Sequence, residues 1–123
     1  MGDRTGSGTP PRVEEYEFGR IVIDGETYTN DVIITPEGVR PEWWREEGHS
    51  LSMKDLGDLL NDPPEVLIIG RGANGVMSVP GNVAEAIRDR GVELVIEKTS
   101  RAVEIYNERA PGGGVAAGLH LTC

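Results

Sequence analysis

Short runs of alternating apolar and polar positions occupy the chain between residues 18 and 38. Ile21 and Ile23 lie on one side of such a run, and Asp24-Gly25 separates it from a second run at about residues 26–28. An Asp-Gly pair between strand-like runs indicates a hairpin, because both turn residues tolerate positive φ. Residues 31–35 predict another strand, and Thr35-Pro36-Glu37-Gly38 is typical of a turn.

Residues 39–50 show no regular period, and a short helix is predicted after them. Ser52 is a suitable N-cap residue for this helix, and Asp55, three residues later, forms a weak capping box with it. Leucines give this helix one apolar face, and Asn61-Asp62-Pro63-Pro64 ends it.

The rest of the chain alternates strands and helices. Residues 66–69 form an uninterrupted apolar strand, as expected for a sheet that is covered on both faces. A helix near Pro80, a strand at 92–96, a helix at 101–109 and a strand at 115–121 follow. This order implies two right-handed crossovers and parallel pairing. We therefore expect an α/β fold whose mixed sheet is built on a β-α-β-α-β unit, with an N-terminal hairpin, extra strands and helices packed on the sheet.

The N-terminal end is small, polar and Pro-rich. Residues 1–12 carry too little apolar surface to offset the entropy lost on ordering. We expect a flexible tail over residues 1–17 and a single domain over residues 18–123, which suits a chain of 123 residues.

Composition narrows the class of protein. The net charge of −9 repels phosphate backbones, so we expect no nucleic-acid partner. The single cysteine, Cys123, excludes an internal disulfide and fits a reducing compartment. No apolar run approaches membrane-spanning length or resembles a signal peptide, so a cytoplasmic protein with no membrane partner is the expectation. With two histidines and one cysteine we expect no metal site, and no cofactor is predicted.

A glycine-rich loop follows the buried strand at 66–69. Gly70, Gly72 and Gly75 match the dinucleotide-binding spacing, and Glu97 ends the next strand. In that motif, however, the helix begins within the glycine pattern, whereas here Pro80-Gly81 marks a later helix start. We therefore expect no dinucleotide at this loop.

The ends of two predicted parallel strands suggest a ligand-binding crevice. Loops at the carboxyl ends of neighbouring parallel strands lie side by side, and a helix that starts there offers free N–H groups. A phosphate or carboxylate could be held there by Arg71, Thr99 and Ser100. The candidate crevice residues are Gly70, Arg71, Gly72, Glu97, Thr99, Ser100, Tyr106, Asn107 and His120. The alternative is structural: Thr99 or Ser100 only caps the helix, the glycines only turn the chain, and Arg71 pairs with a carboxylate such as Glu97.

Three of these candidates also have a structural interpretation. Tyr106 shares the helix face of Ala102 and Val103, which favours a core ring with a bonded hydroxyl. Asn107 could satisfy loop backbone. His120 shares a strand face with Ala116 and Gly118, so it either lines a pocket or lies beneath a packed element.

Trp43 and Trp44 are adjacent in an acidic, irregular segment. Both cannot easily be buried, so we expect one to plug the core edge and the other to be exposed. An exposed tryptophan is typical of protein interfaces. The pair is therefore a candidate surface for self-association or for a partner protein.

Several short motifs together resemble the adipogenesis-associated Mth-domain family. They are Ile69-Gly70-Arg71-Gly72, Val79-Pro80, the set Thr99, Ala102, Val103, Tyr106 and Asn107, the set His120, Thr122 and Cys123, and the stretch of Trp44, Arg45, Glu46, Gly48 and Ser50. The resemblance spans about residues 18–123. It implies a small α/β domain of unknown function, distantly related to a mitochondrial complex I assembly factor, with no established enzyme activity. Arg71 departs from the family pattern, where a small polar residue is usual.

Two functions remain open from the sequence. The first is a non-catalytic binding or assembly-helper domain with a protein partner and a crevice for a small anion. The alternative is an enzyme that acts on a phosphorylated or carboxylated small molecule, with Arg71 on the substrate and Glu97, Tyr106 or His120 as acid or base. No catalytic motif is recognisable, and we assign no catalytic residue.

Overall fold

Residues 10–123 form two separate β-sheets, and the larger one contains the predicted parallel unit. The computed structural model describes residues 10–123. The strands are β1 (Val13–Glu17), β2 (Arg20–Ile23), β3 (Glu26–Tyr28), β4 (Val32–Thr35), β5 (Gly38–Arg40), β6 (Val66–Arg71), β7 (Glu93–Glu97) and β8 (Val115–His120). The helices are α1 (Met53–Leu56), α2 (Gly81–Arg88) and α3 (Thr99–Arg109), with 3-10 turns at Gly57–Leu60 and Ala110–Gly112.

The five-stranded sheet has the order β5-β4-β8-β6-β7. Strand β6 lies parallel to both β7 and β8, while β4 pairs antiparallel with β8 and β5. The predicted α/β fold with a mixed sheet is confirmed. The two crossovers place the carboxyl ends of β6, β7 and β8 at one edge of the sheet.

Both faces of this sheet are buried, which explains the uninterrupted apolar run in β6. Ile68 packs with α3 on one face, whereas Leu67 and Ile69 pack with α2 on the other. Successive side chains of a strand point to opposite faces, so a strand between two helical layers must be apolar at every position.

The three-stranded sheet, in the order β1-β2-β3, shares the core of the α3 face. Its second turn is the predicted hairpin: Asp24 and Gly25 adopt φ of 49° and 83°, and Ile23 pairs with Glu26. Ile21 and Ile23 point into the same apolar cluster as Tyr106. The small sheet therefore covers α3.

The predicted tail ends too late in the sequence. Residues 1–9 lie outside the described residues, but Val13–Glu17 form β1, which pairs antiparallel with β2. Val13 is buried and Tyr16 is half-buried, while Glu14, Glu15 and Glu17 face solvent. The small, polar and Pro-rich start of the chain indicated a longer tail, although two apolar positions are enough to anchor this edge strand.

Within residues 10–123, no helix combines the length and the apolar character needed to cross a membrane.

Candidate functional site

The two turns predicted to be neighbours do meet. The Gly72 N–H donates to Thr99 Oγ1 at 2.8 Å, and the Thr99 N–H donates to the Gly72 carbonyl at 3.1 Å. The Thr99 hydroxyl also donates to the His120 carbonyl at 2.6 Å, and Thr99 is fully buried. Thr99 thus joins the carboxyl ends of three strands and has no hydroxyl capacity left for an anion.

Thr99 is not the cap of α3. The helix begins at Thr99 itself, and its N-cap residue, Lys98, makes no side-chain capping hydrogen bond. The prediction that the Thr99 hydroxyl caps the helix is therefore wrong, because that hydroxyl is engaged between Gly72 and His120. Ser100 and Glu97 are exposed beside it.

The glycine-rich loop is filled by the chain's own segment at residues 121–123. The Cys123 carbonyl accepts the N–H groups of Asn74 and Val76 at 3.2 and 3.0 Å, and the Thr122 carbonyl accepts that of Ala73 at 2.6 Å. A Cβ at Gly72 would lie 2.2 Å from the Cys123 carbonyl carbon. The positive φ of Gly72 and Gly75 fits the structural alternative, in which the glycines turn the chain. Their lack of a side chain also allows this close approach, which was not predicted.

Arg71 does not turn toward Thr99 or Glu97. Its Nε donates to the Met77 carbonyl at 2.7 Å, which closes the same loop. A Cβ at Gly70 would meet Thr99 Oγ1 at 2.8 Å, so the space between the two turns is closed as well. The geometry therefore does not support the predicted anion crevice at these residues.

Tyr106 and Asn107 lie on the α3 face and hold the N-terminal segment. The Tyr106 hydroxyl donates to the Pro11 carbonyl at 2.6 Å, and burial raises the pKa of Tyr106 to about 12. The Asn107 side chain accepts the Val13 N–H at 3.0 Å and donates to the Val13 carbonyl at 2.8 Å. Tyr106 is a core residue with a bonded hydroxyl, as its helix face indicated, and neither side chain lines the turns at Gly72 and Thr99.

His120 belongs to a buried polar cluster with Asp31 and Arg45. His120 Nδ1 lies 2.8 Å from Asp31 Oδ2, which also accepts Arg45 Nη2 at 2.8 Å. Arg45 Nη2 also lies 3.0 Å from His120 Nδ1, so the three side chains form one contact cluster. The second oxygen of Asp31 accepts the Leu121 N–H at 2.7 Å. The cluster ties the loop before β4 to the end of β8.

The pKa of Asp31 reflects two opposing effects. Burial acts to raise it, but hydrogen bonds from His120, from the Leu121 N–H and from Arg45 outweigh burial. The pKa of Asp31 is therefore lower than its ordinary value, and this carboxylate is ionised at neutral pH.

Trp43 occupies the space that the small residues beside His120 leave. A Cβ at Gly118 would lie 2.9 Å from the Trp43 ring, and the indole N–H donates to the Asp55 carbonyl at 2.7 Å. The guanidinium carbon of Arg45 lies 4.8 Å from the centre of a Trp43 ring. Of the two open interpretations of His120, burial beneath a packed element is the one observed.

The predicted split between the two tryptophans is confirmed. Trp43 is 7% exposed, whereas Trp44 is 76% exposed. Trp44 lies at the edge of an open cavity of about 350 Å³. The cavity is lined by Thr29, Asn30, Asp31, Glu42, Trp43, Trp44, Arg45, Gly48 and Thr122. We call this surface the Trp44 face.

The large exposed apolar side chains of the described residues are all close to the segment at 121–123. They are Phe18, Trp44 and Val76. Gly19, next to Phe18, donates its N–H to the Leu121 carbonyl, and Val76 donates to Cys123. Trp44 lines the same cavity as Thr122. These three exposed apolar residues therefore lie near the carboxyl edge of the parallel strands.

Sequence reasoning missed Asp31 and Arg45. Asp31 precedes a strand and Arg45 lies in an irregular segment, so neither belongs to a periodic pattern. The only signal was indirect: a histidine on an apolar strand needs a polar partner, and one buried ion pair supplies it. Among the residues that the structure describes, no three His, Cys, Asp or Glu side chains are grouped so as to hold a metal ion.

A family model matches residues 13–120, and its description is "Protein of unknown function (DUF498/DUF598)". The match begins at β1, which agrees with the earlier start of the ordered domain. It covers the glycine-rich loop and the residues of the Trp44 face other than Thr122, but not the segment at 121–123 that fills the loop.

Solved structures with the same fold come from archaea and bacteria. A conserved hypothetical protein from Pyrococcus horikoshii has a TM-score of 0.77 at 25% identity, covering 91% of this chain and 99% of that one. A structural-genomics target from Rhodopseudomonas palustris has a TM-score of 0.74 at 25% identity, covering 98% and 92%. An Mth938-like domain from Bordetella pertussis has a TM-score of 0.70 at 21% identity, covering 98% and 92%. These likenesses support a small domain of unknown molecular function.

Proposed function

The chain belongs to the family of proteins of unknown function DUF498/DUF598, and we propose that it is a non-catalytic interaction domain that binds another protein through the Trp44 face. The observation that carries the proposal is the contrast within one dipeptide. Trp43 is buried in the core, whereas Trp44 is 76% exposed beside an open cavity. Exposed tryptophans are costly to leave in water and are enriched among the residues that dominate binding energy.

The surroundings of Trp44 support a docking role. Trp43 fixes the backbone position of Trp44, because its ring is wedged against Gly118 and its N–H is bonded to Asp55. The ion pair between Arg45 and Asp31 anchors the following residue. An anchor that is already held in place loses less conformational entropy on binding than a mobile one.

The enzyme alternative has less support. Its three acid or base candidates do not converge: Tyr106 is bonded to Pro11 on the α3 face, Glu97 is exposed, and the His120 ring is held by Asp31. The substrate-binding role of Arg71 also lacks support, since its Nε closes its own loop. The resemblance to adipogenesis-associated proteins and to a respiratory complex I assembly factor favours an assembly-helper role, and the single cysteine favours a reducing compartment such as the cytoplasm.

A display selection with random peptides tests the proposal. The library is selected on the wild-type domain and, in parallel, on Trp44→Ala, which keeps Trp43 and therefore the core. We expect peptides that are enriched on the wild type and lost on the variant. If enrichment is the same on both proteins, or if no peptide is enriched, the Trp44 face is not a docking surface.

A second copy of this chain is the other partner that could bind to the exposed tryptophan. Sedimentation equilibrium of the wild type and of Trp44→Ala separates the two cases. A concentration-dependent dimer that the variant abolishes would assign the Trp44 face to a second copy of this chain instead of a different protein.

A further inference from the structure

The cavity on the Trp44 face combines an aromatic wall with a carboxylate. Thr29, Asn30 and Thr122 add polar atoms around it. Its volume of about 350 Å³ is within the range of small-ligand pockets. A cavity of this kind on an interaction surface is suited to a single long side chain from the partner.

The charges of the cavity favour a cation. Among the described residues that line the cavity, Arg45 is the one with a positive charge, and its side chain is 4% exposed. Its charge is engaged by Asp31 at 2.8 Å, by the Gly48 carbonyl at 3.0 Å and by the Trp43 ring. Once Asp31 and Arg45 have paired with each other, the carboxylate of Glu42 is the remaining charge in the lining. No cation within residues 10–123 pairs with it.

The backbone of Glu42 is in an unfavourable conformation. Its φ is +59°, in the left-handed region that suits glycine. The one other described non-glycine residue with positive φ is Asp24, and the hairpin turn accounts for it. Glu42 lies between Pro41 and Trp43, outside any hairpin turn. Strained residues of this kind cluster at ligand clamps, where the surrounding structure holds them.

An anion is the competing occupant, because Arg45 Nε and Nη1 lack hydrogen-bond partners. Both atoms are buried, however, and the guanidinium is stacked on Trp43. Neither atom is therefore presented to an anion in the cavity. A cation meets Trp44 and Glu42 directly, and the net charge of −9 attracts it from a distance.

We propose that the cavity between Trp44 and Glu42 binds the guanidinium or ammonium end of an Arg or Lys side chain in a basic segment of the partner protein. This inference rests on the proposed function and adds the chemistry of the partner. The cation lies over the Trp44 indole and pairs with Glu42, and the alkyl stem contacts the apolar ring surface.

The test is an amide-detected NMR titration with n-butylguanidinium chloride, and sodium butyrate at equal ionic strength serves as the matched probe of opposite charge. We expect saturable shifts of the Trp44 indole N–H with the cation only, weaker at about 300 mM than at about 20 mM salt. Glu42→Gln should weaken binding about threefold, the range of an exposed ion pair. Glu37→Gln is the control, because Glu37 is exposed in the turn between β4 and β5.

The outcomes separate this inference from the function on which it rests. Equal or stronger shifts with butyrate, or unchanged binding in Glu42→Gln and in Glu42→Gly, overturn the cation site. If display selection still yields Trp44-dependent peptides without Arg or Lys, the interaction function stands and only the cation site falls. If the cation binds but no peptide depends on Trp44, the interaction function falls.

Discussion

The glycine-rich loop and the Trp43–Trp44 segment lie near the same edge of the sheet, but they use their residues in opposite ways. The loop has the sequence features of a ligand site, yet its N–H groups bind the Thr122 and Cys123 carbonyls. The irregular segment has no binding motif, yet it presents an exposed indole beside a cavity. A motif indicates where the backbone is close-packed or unusual, whereas function depends on which groups remain accessible.

The largest expected effect separates the two tryptophans. Trp43→Ala removes a ring that packs on Gly118 and should lower the free energy of unfolding by about 3–5 kcal/mol. Trp44→Ala should change it by less than about 0.5 kcal/mol, because the side chain is exposed. Urea unfolding of both variants measures the difference. Similar losses in the two variants would show that Trp44 also belongs to the core.

The next effect concerns how tightly the loop is filled. Gly72→Ala should cost about 3 kcal/mol, because the new Cβ would approach the Cys123 carbonyl carbon to 2.2 Å and φ is +98°. Gly91→Ala is the matched control, since its φ is +82° but no atom lies within 4 Å of the new Cβ. Control and variant should differ by about 2 kcal/mol in chemical denaturation. Equal losses would mean that the loop has room for a ligand.

Asp31→Asn weakens the cluster under the Trp44 face and should cost about 2 kcal/mol at neutral pH, since it leaves Arg45 buried without its counter-ion. The folded pKa of Asp31 is below the ordinary value of 3.8, so its ionised form contributes stability above that value. This contribution is lost as the pH falls through the folded pKa. Wild type and variant should therefore converge in stability as the pH falls below about 3.8. A gap that is constant from neutral to acidic pH would contradict the assignment.

The smallest effect has the opposite sign. Glu42→Gly relieves the left-handed strain at φ +59° and should raise the free energy of unfolding by about 1 kcal/mol. It should at the same time weaken the binding of n-butylguanidinium. Thermal unfolding with and without the probe measures both changes. A loss of stability would show that the Glu42 side chain has a structural role.

Much of the fold could be predicted because it depends on local patterns. The apolar run at 66–69, the Asp24-Gly25 turn and the alternation of helices and strands each determine a local element, and chain connectivity then determines the parallel pairing. Strand β1 was not predicted. Its pairing with β2 depends on only two apolar side chains that lie among glutamates, and so short a pattern does not stand out in the sequence.

The site was less predictable, because it depends on contacts between distant residues. Arg45 contacts both Asp31 and His120, and His120 is 75 residues away from it in the sequence. No spacing rule connects these three residues. The occupation of the glycine loop by residues 121–123 is likewise a property of the folded chain. What the sequence did indicate was that Trp43 and Trp44 cannot share one environment.

An amide-detected NMR map of the domain, recorded with a peptide from the display selection, locates the binding surface residue by residue. We expect shifts centred on residues 29–31 and 42–48, with the signals of residues 70–72 and 97–100 nearly unchanged. Shifts centred on Gly70, Arg71 and Ser100 would contradict binding at the Trp44 face and would return the binding site to the glycine-rich loop.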